Sequence, residues 1–446
     1  MKFYGREEEL QSLRGWLETA RKRQTSQMVS VYGRRRIGKT TLIRKAFENE
    51  KIPVFYFPVE GAVSEAELAQ IWISKVCSGY DSAMQLSSTR IIDALSVAMD
   101  FSRTKECVFI IDECQILDRL APHFWGQLQA LWDMHKDGTK MLLILCGSVI
   151  SAMKRIFGGA SEPLYGRTST QIELKPFCTD IIKEIVFDEN PAATNRDLLA
   201  VYAYTGGVAK YMELLAEKEK LSEKGGLELI FSTDGDWFRQ EGDIYLANEF
   251  RGEAPVYRQI IKAVALGKTK RTEIQSEATE VIGPYLQRLE EFRVIGRVSP
   301  IFEEPKPGST RFVVLDPYFK FWVNFINNPV AEPLVTEKKW TQAIEETQER
   351  LPEYLGRILE LWFRRKYMES NDWRLAGGWW DRKGLHETDL VAADTVTKKL
   401  QFAEIKLNPA KYNEAKLSLN VAMFFDKHPE MKSWDWSMRC LSLEDM

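Results

Sequence analysis

The sequence predicts a multidomain α/β protein: a parallel sheet between helices in the first half, helical modules in the middle and a smaller α/β domain at the end. Three observations predict it. Short, mainly apolar runs at 27–32, 107–111 and 140–146 alternate with amphipathic stretches, the pattern of strands buried on both faces between helices. From 179 to 219 the period is helical, with breaks at Asn190-Pro191 and Gly206-Gly207. Near the end a helical stretch at 351–367 precedes strand-like segments at 385–393 and 400–407. The 446 residues suffice for about two to four domains. The expected division is a core at 1–175, a helical lid at 176–245, a third module at 246–330 and a last domain at 345–446.

Composition excludes several classes. Sixty-one Lys and Arg against 64 Asp and Glu leave a formal charge of −3, so no global basic field exists and any DNA contact has to be local. The four histidines, His123, His135, His386 and His428, stand at no zinc-type spacing. The six cysteines, Cys77, Cys107, Cys114, Cys146, Cys178 and Cys440, form no C-x-x-C pair, and several lie in apolar runs. Neither a zinc site nor a disulfide scaffold is expected, and a reducing cytoplasm fits. The N-terminus has no apolar leader core, and no apolar run approaches the roughly 18 residues that span a membrane, so no membrane contact is expected.

The strand at 27–32 runs into Gly33-Arg34-Arg35-Arg36-Ile37-Gly38-Lys39-Thr40, and Thr41 leads an apolar helix to 47. G-x-x-x-x-G-K-[ST] between a strand and a helix is the P-loop pattern. Gly33 and Gly38 let the backbone turn its N–H groups inward around a phosphate, and the helix N-terminus adds partial positive charge. Lys39 is expected on the β- and γ-phosphates of ATP and Thr40 on Mg²⁺. Strand 107–111 ends in Asp112-Glu113. Asp112 is assigned to the metal and Glu113 to general base or water positioning, the alternative being a helix N-cap. Strand 140–146 ends in Gly147-Ser148, where Ser148 senses the γ-phosphate, caps the following helix, or does both.

In the middle, a helix at 256–266, the basic turn 267–271, a short segment at 272–276, a helix at 283–291 and strands at 293–299 and 311–314 follow one another. The strands are joined by a turn containing Pro305, Pro307 and Gly308. Helix, turn, helix, β-ribbon is a winged helix-turn-helix order. Lys268, Lys270, Arg271 and Arg288 would meet DNA phosphates; otherwise the module is an interdomain spacer. The aromatic run 316–327 reads as a core helix rather than a base-stacking surface, and 328–337, with two prolines, as a linker.

In the last domain Glu360 lies on a helix, Asp389 on one strand, and Glu404 and Lys406 two apart, hence on one face, of the next.

Two resemblances follow from these residues. The stretch Phe3-Tyr4-Gly5-Arg6-Glu7 with Glu9-Leu10, the P-loop, Asp112-Glu113, Cys146-Gly147-Ser148 and Tyr165-Gly166-Arg167 resemble STAND/AAA+-like ATPases of archaea and bacteria. The resemblance implies that Gly5 and Arg6 flank the nucleotide base. It also implies that Arg167 approaches the γ-phosphate as an arginine finger, in its own subunit or a neighbour's, unless it is a plain surface arginine. That family's Gly-Gly-x-Pro-x-Tyr lid element is matched by Gly206-Gly207-Val208-Ala209-Lys210-Tyr211, with Ala209 replacing the proline. The ensemble Glu360, Asp389, Glu404, Lys406 resembles the PD-(D/E)XK endonuclease-like core, which such ATPases carry as a C-terminal domain of unknown function. There Asp389 and Glu404 would bind Mg²⁺, Lys406 would orient or activate the attacking water, and Glu360 would add metal affinity. The function expected is a Mg²⁺-dependent ATPase acting on double-stranded DNA. The alternatives are a nucleotide-driven switch or scaffold for a protein partner with an inactive nuclease-like domain, or an oligomeric remodelling ring.

Overall fold

The computed structural model describes residues 1–59, 64–80, 86–159, 161–250, 252–306 and 309–446. The chain divides into two compact units, one of Gly5–Lys175 and one of Met1–Tyr4 with Pro176–Met446. The lid, third module and last domain, expected as three domains, fall in a single unit. Among the described residues no helix is long and apolar enough to cross a membrane.

The first unit runs α1 (Glu7–Arg23), β1 (Gln27–Tyr32), α2 (Lys39–Phe47), β2 (Val54–Pro58), α3 (Glu65–Gly79), α4 (Ile91–Ser102), β3 (Cys107–Asp112), the single turn α5 (Leu117–Leu120), α6 (Phe124–His135), β4 (Met141–Gly147), α7 (Ile150–Gly158) and β5 (Thr170–Glu173). Its five strands pair in parallel in the order β2-β3-β4-β1-β5. Every residue of β1, β3 and β4 is buried, which is why these strands show no polar alternation. Register aligns their ends: Tyr32 pairs with Gly147 and Ile111 with Leu145. The loops after β1, β3 and β4 therefore emerge at one edge of the sheet.

The second unit begins with α8 (Thr179–Glu189), α9 (Asn195–Thr205), α10 (Ala209–Glu217), α11 (Glu223–Ile230) and α12 (Asp236–Glu249). Then come α13 (Ala254–Ala265), α14 (Arg271–Gln275), α15 (Gly283–Glu291) and an antiparallel ribbon of β6 (Ile295–Val298) and β7 (Arg311–Val314). Of the expected ribbon turn, Pro307 and Gly308 lie outside the described residues. The aromatic segment is α16 (Pro317–Phe325), buried as expected: Tyr318 donates to the Phe238 carbonyl and Trp322 to that of Arg239, both at 2.8 Å. The expected linker is instead α17 (Ala331–Thr336), capped by Asn328 Oδ1, which accepts from Val330 and Ala331 N–H groups at 2.9 and 3.0 Å. Pro333 sits in its first turn, where no intrahelical N–H bond is needed, so the proline did not break it.

The last part runs α18 (Trp340–Glu369), β8 (Leu375–Trp380), β9 (Glu387–Asp394), β10 (Lys399–Ile405), α19 (Glu414–Lys427) and β11 (Asp435–Leu441). The sheet order is β11-β10-β9-β8, with β10 and β11 parallel and the other pairs antiparallel. Leu400 and Phe402 turn toward α19, where they join Trp379 and Phe424 in the core.

Candidate functional site

At the sheet edge of the first unit, the loop after β1 has no spare room. A Cβ on Gly33 would lie 2.4 Å from the Leu174 carbonyl oxygen. Gly38 has φ 98°, a conformation that favours glycine. These glycines place Lys39 at the start of α2, only 6% exposed. Its ammonium donates to the carbonyls of Gly33 (2.9 Å) and Arg34 (3.2 Å) and to Ser148 Oγ (3.2 Å), which offsets the cost of burying the charge. Thr40 Oγ1 donates to Asp112 Oδ2 at 3.1 Å. The Tyr56 hydroxyl donates to that same oxygen, and burial beside Asp112 holds the phenol well above its ordinary pKa. Glu113 follows in the left-handed region, φ 54°, which turns its side chain to Ser148 and Gln115.

Five sequence-assigned groups, Lys39, Thr40, Asp112, Glu113 and Ser148, thus converge from three strands. Thr40 and Asp112 present the hard oxygen donors that Mg²⁺ takes, so they fit that ion. Arg34, Arg35 and Arg36 are half-buried on the loop, Ile37 is buried, and Thr41 is exposed on the first turn of α2. Tyr56 and Gln115 were missed. Tyr56 is an aromatic in an edge strand with no motif around it. Gln115, two residues past the acid pair, was the nearer signal.

Two assignments fare differently. Gly5 has φ 54°, and the buried Arg6 donates to the Lys175 carbonyl at 2.7 Å and pairs with Glu9 at 3.3 Å, which ties the start of α1 to the segment after β5. Arg167 is not brought to the cluster. Its guanidinium pairs with Asp133 at 2.7 Å, so the Asp133 carboxyl stays below its ordinary range. Ser169, two residues on, donates to the Met28 carbonyl at the beginning of β1. At about 3.3 Å per residue, the five steps from Met28 to Gly33 separate that end from the P-loop by roughly 16 Å. The arginine-finger role toward its own P-loop is therefore corrected.

In the second unit the expected acids do meet. Lys406 Nζ lies 2.9 Å from Glu404 Oε1 and 3.7 Å from Asp389 Oδ2. Asp389 Oδ2 also accepts from the Ile405 N–H at 2.8 Å. Arg364 donates to the Asp389 carbonyl and pairs with Glu360 Oε2 at 3.4 Å, which links α18 to β9. Burial raises the Glu360 and Asp389 carboxyls above their ordinary range. Burial lowers Lys406, but Glu404 and Asp389 outweigh it and the ammonium is held charged. Glu404 Oε2 is buried without a hydrogen-bond partner, the kind of oxygen a cation would take. Among the described residues, however, no three carboxylate, histidine or cysteine side chains already stand as a metal site.

The basic residues of the third module are mostly spoken for. Lys268 pairs with Glu277. Arg288 donates to the Glu249 carbonyl at 3.1 Å and stacks over Phe250 at 5.4 Å, so part of its guanidinium is engaged within the protein. Lys270 and Arg271 remain exposed. The segment between β6 and β7 and the start of β7 are docked: Ile301 N–H bonds the Gly378 carbonyl at 2.9 Å, and Arg311 pairs with Glu387 at 2.9 Å and lies 4.2 Å over Trp380.

Residues 3–215 match an ATPase domain found predominantly in Archaea, and residues 322–417 match archaeal and bacterial proteins of unknown function. An uncharacterized protein of Methanocaldococcus jannaschii is 29% identical over 426 residues, 93% of this chain and 89% of its own. The solved structure of a Walker-type ATPase of Pyrococcus abyssi is similar with a TM-score of 0.51 and 19% identity, covering 72% of this chain and 96% of that one, a likeness of fold. Residues 3–215 are thus similar to that ATPase domain, and the chain has a P-loop NTPase-like α/β core with a parallel sheet.

Proposed function

We propose that the protein hydrolyses ATP with Mg²⁺ at the P-loop and acts on double-stranded DNA through its second unit. The observation that carries the first half is the convergence of Lys39, Thr40, Asp112, Glu113 and Ser148 at one sheet edge. In this reading Lys39 leaves the Gly33 and Arg34 carbonyls for the β- and γ-phosphates. Gly33 through Thr41 wrap the phosphates with backbone N–H groups, and Glu113 takes the proton of the attacking water. Thr40 and Asp112 would hold Mg²⁺, which supplies charge neutralisation at the phosphates. Ser148 passes from Lys39 and Glu113 to the γ-phosphate. Gly5 and Arg6 border the base. Arg167 serves only a neighbouring copy's site, which makes the active form an oligomer. This chemistry belongs to the cytoplasm.

The DNA half is supported by the cluster of Glu360, Asp389, Glu404 and Lys406 on an αβββαβ frame, read as a nuclease-like domain, and by three helices with a β-ribbon, read as a winged helix. A second reading, a nucleotide-driven switch acting on a protein partner, is favoured by the paired basic residues and the docked ribbon.

The experiment is steady-state Mg²⁺-ATP hydrolysis with and without supercoiled plasmid, with Lys39→Ala as blank and the plasmid run on a gel. Stimulation by DNA supports the proposal, and nicking lost in Asp389→Ala assigns it to the C-terminal cluster. Hydrolysis indifferent to DNA, with intact plasmid, would replace the DNA reading with the switch.

A further inference from the structure

The two acids at the end of β3 are held by residues outside the P-loop pattern. Asp112 Oδ1 accepts from the Glu113 N–H at 3.0 Å, and Oδ2 from Thr40 and from the Tyr56 hydroxyl. Glu113 Oε1 accepts from the Ser148 hydroxyl, and Oε2 from Gln115 Nε2 at 2.6 Å and the Ser148 N–H at 3.3 Å. Adjacent carboxylates repel, so the direction each points is set by its donors.

These donors are not equivalent. On the ATPase reading, which this inference rests on, Thr40 and Ser148 are also claimed by the metal and the γ-phosphate. Each must release its carboxylate when the nucleotide binds. Tyr56 and Gln115 carry no such second duty. Tyr56 stands on β2 with Arg44 over its ring at 5.3 Å, so its hydroxyl is aimed by packing. Gln115 is pinned against the tip of β4. Its Oε1 is buried without a partner and lies 2.5 Å from where a Cβ on Gly147 would be. Flipping the amide would set Oε1 against the Glu113 carboxylate, so Nε2 stays toward Glu113.

We infer that Tyr56 and Gln115 are positioning residues of the ATP site. Tyr56 aims Asp112 and Gln115 aims Glu113, and both hold when Thr40 and Ser148 are taken over by the bound nucleotide.

The test uses the full chain with the near-isosteric variants Tyr56→Phe and Gln115→Met. Binding of a fluorescent ATP analogue is titrated with and without Mg²⁺, beside steady-state kinetics and thermal unfolding. Tyr56→Phe is expected to leave Mg²⁺-free binding unchanged and to raise the Mg²⁺ concentration for half-maximal binding about three- to tenfold. Gln115→Met is expected to lower kcat about tenfold with KM and nucleotide binding unchanged. Gln115→Glu, of the same size, sets a like charge against Glu113 and is expected to lower kcat further. Wild-type Mg²⁺ dependence in Tyr56→Phe overturns its role. Wild-type kcat in Gln115→Met, or a raised KM with kcat intact, overturns that of Gln115. Should Gln115→Met fail to fold, Gln115→Glu decides in its place. The ATPase reading fails separately, if the wild type neither hydrolyses ATP nor binds it more tightly with Mg²⁺.

Discussion

Gly33 shows how one residue fixes the P-loop. The Leu174 carbonyl oxygen would lie 2.4 Å from any Cβ there, and Leu174 N–H bonds the Tyr32 carbonyl at 2.7 Å, so neither neighbour can yield cheaply. Gly33→Ala is expected to lower the melting temperature and weaken ATP binding at least tenfold, read by thermal unfolding and nucleotide titration. A second single-residue effect belongs to Lys320 on α16. Burial pulls its ammonium from 10.5 down to about 8, against the pull of Glu360 and with Arg357 and Arg364 pushing the same way. Between about pH 8 and 10.5 the unfolded chain holds a proton that the folded chain has lost. Lys320 therefore makes stability rise with pH across that window and fall as pH drops through it. The buried thiols of Cys107, Cys114 and Cys146, pushed up by burial, act in the opposite sense at the alkaline end, so the readout is a difference: the urea midpoint of the wild type relative to that of Lys320→Met should climb from pH 7.5 to 10. Lys39, Thr40, Asp112 and Glu113 were legible because their motifs are contiguous in the chain. Lys320, Tyr56 and Gln115 were not, because their roles depend on partners that only folding supplies.

Among elements, α16 is the clearest tie. A Cβ on Gly242 of α12 would lie 2.4 Å from the Trp322 ring, so the two helices approach as closely as glycine permits. Gly242→Ala is expected to cost about 1–3 kcal/mol by overpacking, measured as a shift in denaturant midpoint. Helix α16 was readable from its aromatic density. Helix α17 was not, since two prolines nearby mimic a linker and only its first-turn geometry and the Asn328 cap reveal a helix. The ribbon was legible as two strands but not as docked. Its contacts through Ile301 and Arg311 reach residues 76–77 positions away, to Gly378 and Glu387.

At the scale of the molecule, the chain holds two units where four domains were expected. Tyr4 joins the second, its hydroxyl bonding Asp188 and Glu189 at 2.9 Å each. Because the helical region, the ribbon module and the C-terminal sheet share buried contacts, residues 176–446 expressed alone are expected to unfold in one calorimetric transition. Three resolved transitions would contradict the shared core. On the DNA reading proposed above, a ribbon held to β8 would have to be released to enter a groove, so DNA binding is expected to be weak until that contact opens.

The sequence by itself determined the P-loop, the acid pair at the end of a buried strand, the alternation of α and β, and the four polar residues of the last domain. Each is a short-range pattern, in which local backbone geometry dictates residue type. Tertiary structure decided what those patterns face. It set Arg167 at the far edge of its sheet, paired Arg288 and Lys268 with protein groups, and brought Tyr56 and Gln115 onto the two acids. The physical reason is sheet order: β4 lies between β1 and β3, and β2 beyond β3, so residues far apart in the chain end at one edge. No local period records that order.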